Sequence, residues 1–359
     1  MRRNSGKHKQ KSIVLFTAFL LLSLYILSLV LNDQIKAVIA DDILRPFIGN
    51  TKTVTIEAAY LNTVDKTQTL KNNLLNTKAK GTVIVRPAQA YNSSYFGLHN
   101  ISPILRNYPV QGEGVWETVK TYADTILVAK TFLRVDPQRP TIEVTLVKMN
   151  MNELHLHLVP EKGKIPSKVT QGGKLIAAFN GGFQKKDGYY GFIIGNQTYL
   201  PLKNNLATLV IPNHGSPKII RFDGNRFNLN LIEAIRQNCP MLIENGVITT
   251  SLPAWTAESW GLTITNSMYT WRSGLGITRN GNLIYAAGPS LTPETLAEAL
   301  QKAGAINAMQ LDINFPWSRF SVFTYRNGVI HGKPINPQME PNSQYFTGYN
   351  KDFFYITTR

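Results

Sequence analysis

Cysteine is almost absent from the 359-residue chain, in which Cys239 stands alone. An intramolecular disulfide is therefore excluded, and the fold must be stabilised by its hydrophobic core. Cys239 precedes Pro240 and has no histidine beside it in the sequence. We therefore interpret it as a small buried side chain rather than as a nucleophile.

Acidic residues are scarce, since 22 Asp and Glu oppose 38 Lys and Arg and give a formal net charge of +16. Five of the cations lie in residues 1–11, and 33 basic residues still oppose the 22 acidic ones without them. A basic surface attracts polyanions, although charge can also serve solubility alone. Helix-turn-helix, zinc-finger and RNP patterns are missing. We therefore expect no nucleic acid as a partner.

Residues 12–31 contain no charged side chain. As a helix they would span about 30 Å, the thickness of the hydrocarbon core of a bilayer. The basic tail, residues 1–11, should stay in the cytoplasm and leave the rest of the chain outside. A cleaved signal peptide is the alternative, but the apolar run is longer than the usual core of about 7–15 residues. We expect a single-pass anchor in the cell membrane.

Beyond the anchor, residues 32–110 are expected to form a stalk or accessory segment, and residues 111–359 a globular domain. The apolar-rich run 126–135, which ends at Asp136-Pro137, and the alternating apolar and polar residues at 141–148 and 153–159 predict strands. Asn-Gly pairs between apolar runs predict β-hairpins, because both residues tolerate the positive φ of tight turns. Three such pairs are Asn245-Gly246, Asn280-Gly281 and Asn327-Gly328.

Two helices are predicted in the domain, a short one over residues 229–237 and a clearer one after Thr292. Thr292 is a suitable N-cap, Pro293 suits the first helical position, and Gly304 suits the end. The predicted fold class is α+β, a mainly antiparallel β-rich domain with a few packed helices. It is preceded by the single transmembrane helix.

The first candidate site is the run Asn180-Gly181-Gly182, which follows a buried apolar strand. Glycines let a backbone approach a ligand and turn its N–H groups toward an anion. The amide of Asn180 can bond a hydroxyl or phosphate oxygen. A plain tight turn is the alternative.

Arg272 lies in an apolar, glycine-containing strand, where a guanidinium is costly to bury unless it meets an anion. A structural ion pair, for example with Asp312, is the alternative. Asp312 follows a buried run, which favours a carboxylate in a cleft, and Asn314 is expected on the same face. Glu244 and Asn245 are further candidates for substrate binding, although they would also suit a solvated turn.

His155 and His157 lie two residues apart and project from one strand face. Such a pair could bind a metal, but no third ligand at a suitable spacing supports this. We interpret the pair as a polar strand face, and we expect neither a metal nor a cofactor.

Five segments in order resemble the phosphodiester glycosidase family, over roughly residues 115–359. They are AAFNGGF, CPMLIENG, WRSGLGITRNGNL, TPETLAEALQKAGA and NAMQLD. The resemblance places the family's Asn-Gly-Gly motif on Asn180, Gly181 and Gly182, its strand arginine on Arg272, and its aspartate on Asp312. The glycine-rich run that typically follows this aspartate is replaced here by bulkier residues, 313–318.

The resemblance implies a hydrolase that cleaves a sugar 1-phosphate diester in a surface glycan or related phosphoglycan. Its partner would be a phosphate-bearing carbohydrate. Asp312 would be the nucleophile or base. Arg272 and the backbone amides of Gly181 and Gly182 would bind the phosphate. Asn180 and Asn314 would orient substrate oxygens. The alternative is a non-catalytic protein that binds an anionic glycan or organises exopolysaccharide at the cell surface.

Overall fold

The structure is a computed structural model, and its described residues all lie within the compact unit formed by residues 67–359. These are residues 96–106, 110–137, 139–249, 257–261, 269–339 and 341–359. The predicted anchor, residues 12–31, lies outside them. Within the described part, we find no helix with the length and apolar character needed to cross a bilayer.

Eighteen strands in the described residues form three sheets, and all their pairings are antiparallel. The largest contains, in spatial order, β1 (Glu117–Tyr122), β2 (Thr125–Leu133), β3 (Val144–Met149), β14 (Leu283–Leu291), β13 (Thr270–Thr278), β15 (Ala305–Ile313), β11 (Met241–Glu244) and β12 (Val247–Ile248).

The other two sheets have five strands each. One contains β7 (Gln197–Leu200), β6 (Phe192–Ile194), β10 (Ile232–Asn238), β8 (Ala207–Pro212) and β9 (Lys218–Arg221). The other contains β17 (Val329–Pro334), β16 (Phe320–Arg326), β5 (Leu175–Asn180), β18 (Phe353–Thr358) and β4 (Leu154–Val159). The predicted antiparallel β-rich domain is therefore confirmed.

The three predicted hairpins form, as β11–β12, β13–β14 and β16–β17. Asn245 has φ 51° and Gly246 has φ 83°, which is the left-handed conformation that a tight hairpin turn needs. The same combination recurs at Asn327, with φ 51°, and Gly328, with φ 76°.

Three α-helices lie among the described residues: α1 (Ser167–Gln171), α2 (Ala257–Trp260) and α3 (Pro293–Lys302). The helix predicted after Thr292 is confirmed as α3. The Thr292 side chain accepts a hydrogen bond from the backbone N–H of Thr295. The Thr295 side chain accepts one from the backbone N–H of Thr292, which completes a capping box. Gly304 follows the helix with φ 98°.

The helix predicted over residues 229–237 is wrong. Only Leu229–Leu231 forms a turn of 3₁₀-helix, and Ile232–Asn238 is the central strand β10. Hydrogen-bonding to β6 and β8 on both sides outweighs a weak local preference for helix.

The largest sheet packs between α3 and the sheet that contains β5. Leu275 of β13 belongs to the same buried cluster as Phe179 of β5. On the opposite face, Ile284 of β14 packs in a cluster with Leu296 and Leu300 of α3. The ends of β5 and β15 are therefore held together inside the domain. Residue Phe96, from the predicted accessory segment, is also buried in the second cluster.

Candidate functional site

Asn180 ends β5, and its side chain is fixed by neighbours on three other segments. Its Oδ1 accepts from the Tyr285 hydroxyl at 2.9 Å and from the Arg319 backbone N–H at 3.0 Å. Its Nδ2 donates to Ser273 Oγ at 2.8 Å. Because only 3% of Asn180 is exposed, this amide positions the surrounding backbone.

Gly181 and Gly182 turn their amides toward Asp352. The N–H of Gly181 donates to the Asp352 carbonyl at 3.1 Å, and that of Gly182 donates to Asp352 Oδ2 at 3.1 Å. A Cβ on Gly181 would stand 2.2 Å from Asp352 Oδ2, a clash that explains the need for glycine. Asp352 of the same chain thus occupies both amides, through its carbonyl and its carboxylate, and the binding of a substrate phosphate by this turn stays a prediction.

Asp352 is also held by Arg236, which was not foreseen from the sequence. Arg236 Nε donates to Oδ2 at 2.9 Å, and Nη2 donates to Oδ1 at 3.0 Å. The same Nη2 donates to the Phe183 carbonyl at 2.6 Å. Both side chains are almost fully buried, so this bidentate ion pair supports the Gly181-Gly182 turn from within the core.

Asp312 lies on β15 directly beside this turn, because its backbone N–H donates to the Gly181 carbonyl at 2.9 Å. Its Oδ2 is 2.7 Å from Lys351 Nζ, and its Oδ1 accepts from the Ile313 N–H at 2.9 Å. The Ser273 hydroxyl donates to the Asp312 carbonyl at 2.6 Å. Asp312 and Asn180 are therefore joined through Ser273 as well as through Gly181.

The Asp312–Lys351 pair is buried, with side-chain exposures of 6% and 10%. Burial raises the pKa of Asp312 above its usual range, while the Lys351 ammonium opposes that shift. Burial lowers the pKa of Lys351, but the charge of Asp312, the Tyr349 hydroxyl and the hydrogen bond to Asp312 together outweigh burial and leave this pKa raised. Lys351 Nζ also lies 4.2 Å from the centre of the partly exposed Trp317 ring, a cation–π contact.

A carboxylate, an ammonium and an aromatic ring thus meet at the edge of the core. The carboxylate can attack or take a proton, the ammonium can attract a phosphate, and the ring offers a flat apolar surface. These groups suit a substrate that is both sugar and anion.

Arg272 lies apart from this group, and its predicted role in holding the phosphate is not supported by this position. Ser273 faces Asn180, so alternation along β13 turns Arg272 to the face packed by α3. The guanidinium is 0% exposed and donates to the Leu291 carbonyl and to Gln310 Oε1 at 2.9 and 2.7 Å. Burial lowers its pKa to about 9. Its position is that of a structural guanidinium within the core.

Asn314 lies near Asp312, but its amide carbonyl already accepts from the Thr270 hydroxyl at 2.9 Å. Its backbone N–H donates to the Trp271 carbonyl at 2.7 Å, and its φ is 73°. Asn314 therefore adopts a conformation that favours glycine. It starts the 3₁₀ turn Phe315–Trp317, so the bulkier sequence after Asp312 keeps a sharp bend and adds Trp317.

Glu244 and Asn245 lie elsewhere, and their predicted role in binding substrate is not supported by this position. They form the β11–β12 turn, where Glu244 pairs with Arg221 on the surface. Ile243 pairs with Ala308 of β15. At about 3.3 Å per residue, this places the turn more than about 10 Å along the sheet from Asp312. The hydrogen bond from Arg221 lowers the pKa of Glu244.

Cys239 is completely buried, as expected. It contacts the Tyr190 hydroxyl and the Gln310 amide at 3.9 and 3.4 Å. Burial raises the pKa of its thiol to about 12, so the thiol stays protonated and unreactive at neutral pH.

Lys351, Asp352 and Arg236 were missed by sequence reasoning. Each signal was present but ambiguous: Lys351 and Asp352 immediately precede the apolar strand β18, and Arg236 begins a short polar run, Arg236-Gln237-Asn238, after Ile235. Their partners lie 39 and 116 residues away, so only the folded chain brings them together.

Comparison with known families relates part of this chain to a class of glycosidases. Residues 173–312 match the family model described as phosphodiester glycosidase. The match begins just before β5 and ends at Asp312, and it confirms the resemblance found in the sequence. This part of the chain is therefore similar to phosphodiester glycosidases.

The solved structures that match this chain share little sequence with it. The zebrafish N-acetylglucosamine-1-phosphodiester alpha-N-acetylglucosaminidase catalytic domain, auto-inhibited by its pro-peptide, is 14% identical. That comparison covers 68% of this chain and 88% of the zebrafish chain, with a TM-score of 0.46. A hypothetical protein from Synechocystis is 15% identical over 66% of this chain and 63% of its own, with a TM-score of 0.38. No curated protein matches the sequence.

Proposed function

We propose that the domain hydrolyses sugar 1-phosphate diesters at the anomeric carbon, with Asp312 as the catalytic carboxylate. The observation that carries the proposal is the Asp312–Lys351 pair, with 2.7 Å between Oδ2 and Nζ, beside the Asn180-Gly181 turn. The family match over residues 173–312 supports the reaction class.

The chemistry requires one well-placed carboxylate. The bond between the anomeric carbon and the phosphate oxygen breaks, and a phosphate monoester leaves with the electron pair. Its second pKa is about 6, so the leaving group needs little protonation at neutral pH. Asp312 acts on the other side of the sugar. It either attacks the anomeric carbon to form a glycosyl ester that water then hydrolyses, or takes a proton from the attacking water.

Lys351 takes the role that the sequence prediction gave to Arg272. Its ammonium favours the ionised form of the buried Asp312 carboxylate and adds a positive charge that attracts the anionic substrate to the site. Trp317 packs against the ammonium and offers its exposed part to the sugar. Asn180 holds the backbone of Arg319 and the hydroxyls of Tyr285 and Ser273 around the site.

The location of the domain, and the substrates it would meet there, are proposed from the sequence. Residues 12–31 would anchor the chain in the cell membrane and leave the domain outside the cytoplasm. Phosphate-bearing glycans of the cell surface, including exopolysaccharides, would then be within reach. The excess of basic residues would attract such polyanions.

A non-catalytic glycan-binding role is the second candidate, and one observation favours it. Both glycine amides already donate to Asp352, and Asp312 is already paired with Lys351. Because the amides and charges of this site are already paired within the chain, an anionic glycan could bind at its rim without being cleaved.

Turnover distinguishes the two functions. The full chain would be incubated with methyl diesters of several hexose 1-phosphates, and reducing sugar and methyl phosphate would be quantified. Equal release of both products supports the hydrolase. Binding of a diester in calorimetry without release of either product supports the glycan-binding role.

A further inference from the structure

His155 and His157 meet Glu233 at the boundary between the two five-stranded sheets. Both histidines project from the face of β4 opposite its buried leucines, while Glu233 lies on β10. His155 Nε2 is 2.7 Å from Glu233 Oε2, and His157 Nδ1 is 2.7 Å from Oε1. Two histidine nitrogens and a carboxylate thus converge on one point.

The His157 ring is held in place by two further contacts. Its Nε2 is 3.1 Å from Thr357 Oγ1. Its ring stacks on Tyr355, with centroids 4.5 Å apart and planes tilted by 17°. Metal-binding histidines are typically oriented in this way, with the second nitrogen hydrogen-bonded and the first directed at the metal.

The cluster is accessible and carries a suitable charge. The side chains of His155, His157 and Glu233 are 18, 23 and 29% exposed, so an ion and its water can enter. Glu233 also lines an open groove of about 410 Å³. Glu233 contributes a carboxylate and the two histidines contribute imidazole nitrogens, which are ligand types that zinc takes in proteins.

We propose that His155, His157 and Glu233 form a binding site for a divalent transition-metal ion, with zinc preferred. Their donor atoms lie within 4.8 Å of one another. Rotation of the side chains brings them toward the Zn–N and Zn–O distances of about 2.0–2.2 Å. The ion replaces the protons now shared with Glu233, and water completes the coordination. Two imidazoles and one carboxylate favour zinc over calcium or magnesium, which prefer oxygen ligands alone.

The ion would connect β4 to β10 and so fasten one five-stranded sheet to the other. The proposal is independent of the hydrolase function, because neither Asp312 nor Lys351 takes part. It also supplies the third ligand that sequence spacing could not reveal, since Glu233 is 78 and 76 residues from the two histidines.

Zinc titration of the chelator-treated full chain tests the site. Calorimetry is expected to show one equivalent of zinc bound. H157A and E233Q are expected to weaken binding at least tenfold, whereas H331A, which alters an exposed histidine on β17, leaves it unchanged. Equal affinity in all four proteins, or no saturable binding to the wild type, would overturn the proposal.

A measurement on the wild type guards against variants that fail to fold. Cobalt(II) in a site with two histidines and one carboxylate gives visible absorption bands whose intensity reports four- or five-coordination. We expect such bands to appear at one equivalent of cobalt and to disappear when zinc is added. A spectrum identical to that of aqueous cobalt contradicts the site.

Discussion

Lys351 Nζ lies 2.7 Å from Asp312 Oδ2, and this contact joins the segment before the last strand to the end of β15. Either charge alone would be strongly disfavoured there, because each side chain is no more than 10% exposed. Loss of one partner from a buried pair typically costs about 3–5 kcal/mol. The pair therefore favours the ionised carboxylate at a position where burial raises its pKa.

Replacing Lys351 with Met should move the acidic limb of the pH–rate profile to higher pH. Asp312 works in its ionised form, burial raises its pKa, and Lys351 opposes that rise. Removing the ammonium therefore raises the pKa further, so activity is lost at a higher pH as the solution is acidified. The measurement is kcat/KM against pH for the wild type and K351M.

K351R is the matched control for that experiment, because it keeps a positive charge near Asp312. Its acidic limb should stay near that of the wild type, even if the rate falls. If the limb of K351M coincides with that of the wild type, Lys351 does not control the ionisation of Asp312.

Replacing Asp352 with Asn should destabilise the domain much more than breaking a surface pair. The change leaves the buried Arg236 guanidinium without its counter-charge, at a cost of about 3–5 kcal/mol. The pair between Arg221 and Glu244 is exposed, so E244Q should cost less than about 1 kcal/mol. Urea unfolding measures the free energy of unfolding of each variant. Equal losses would mean that Arg236 finds another partner or water.

Arg272 is predicted to matter for stability and not for substrate affinity. R272K cannot reproduce the hydrogen bonds of the guanidinium to Leu291 and Gln310. We expect a loss of about 1–3 kcal/mol in the free energy of unfolding and a KM within about twofold of the wild type. A large increase in KM at unchanged stability would instead indicate that Arg272 contacts the substrate.

Local patterns were sufficient to predict much of the fold. Hairpins at Asn245 and Asn327 and the cap at Thr292 depend on a few adjacent residues, and all three formed. The segment 232–238 was predicted incorrectly because its conformation is decided by the strands on either side of it. Pairing between distant strands leaves no periodic signal strong enough to outweigh local helix preference.

The candidate site was predicted only in part. Asn180 and Asp312 do lie together, since each ends a buried strand and the two strands pack near each other. Arg272 was assigned to the same group because the side of a strand on which the substrate binds cannot be deduced from the strand alone. Lys351 was missed because an exposed-looking charge pair before a strand usually remains on the surface.

Hydrolysis by D312N is the most direct test of the central claim. With a hexose 1-phosphate methyl diester as substrate, D312N should release reducing sugar at least about 1000-fold more slowly than the wild type. D124N, which alters an exposed aspartate between β1 and β2, should match the wild type. Circular dichroism should show that both variants are folded. Full activity in folded D312N would contradict the assignment of Asp312 as the catalytic carboxylate.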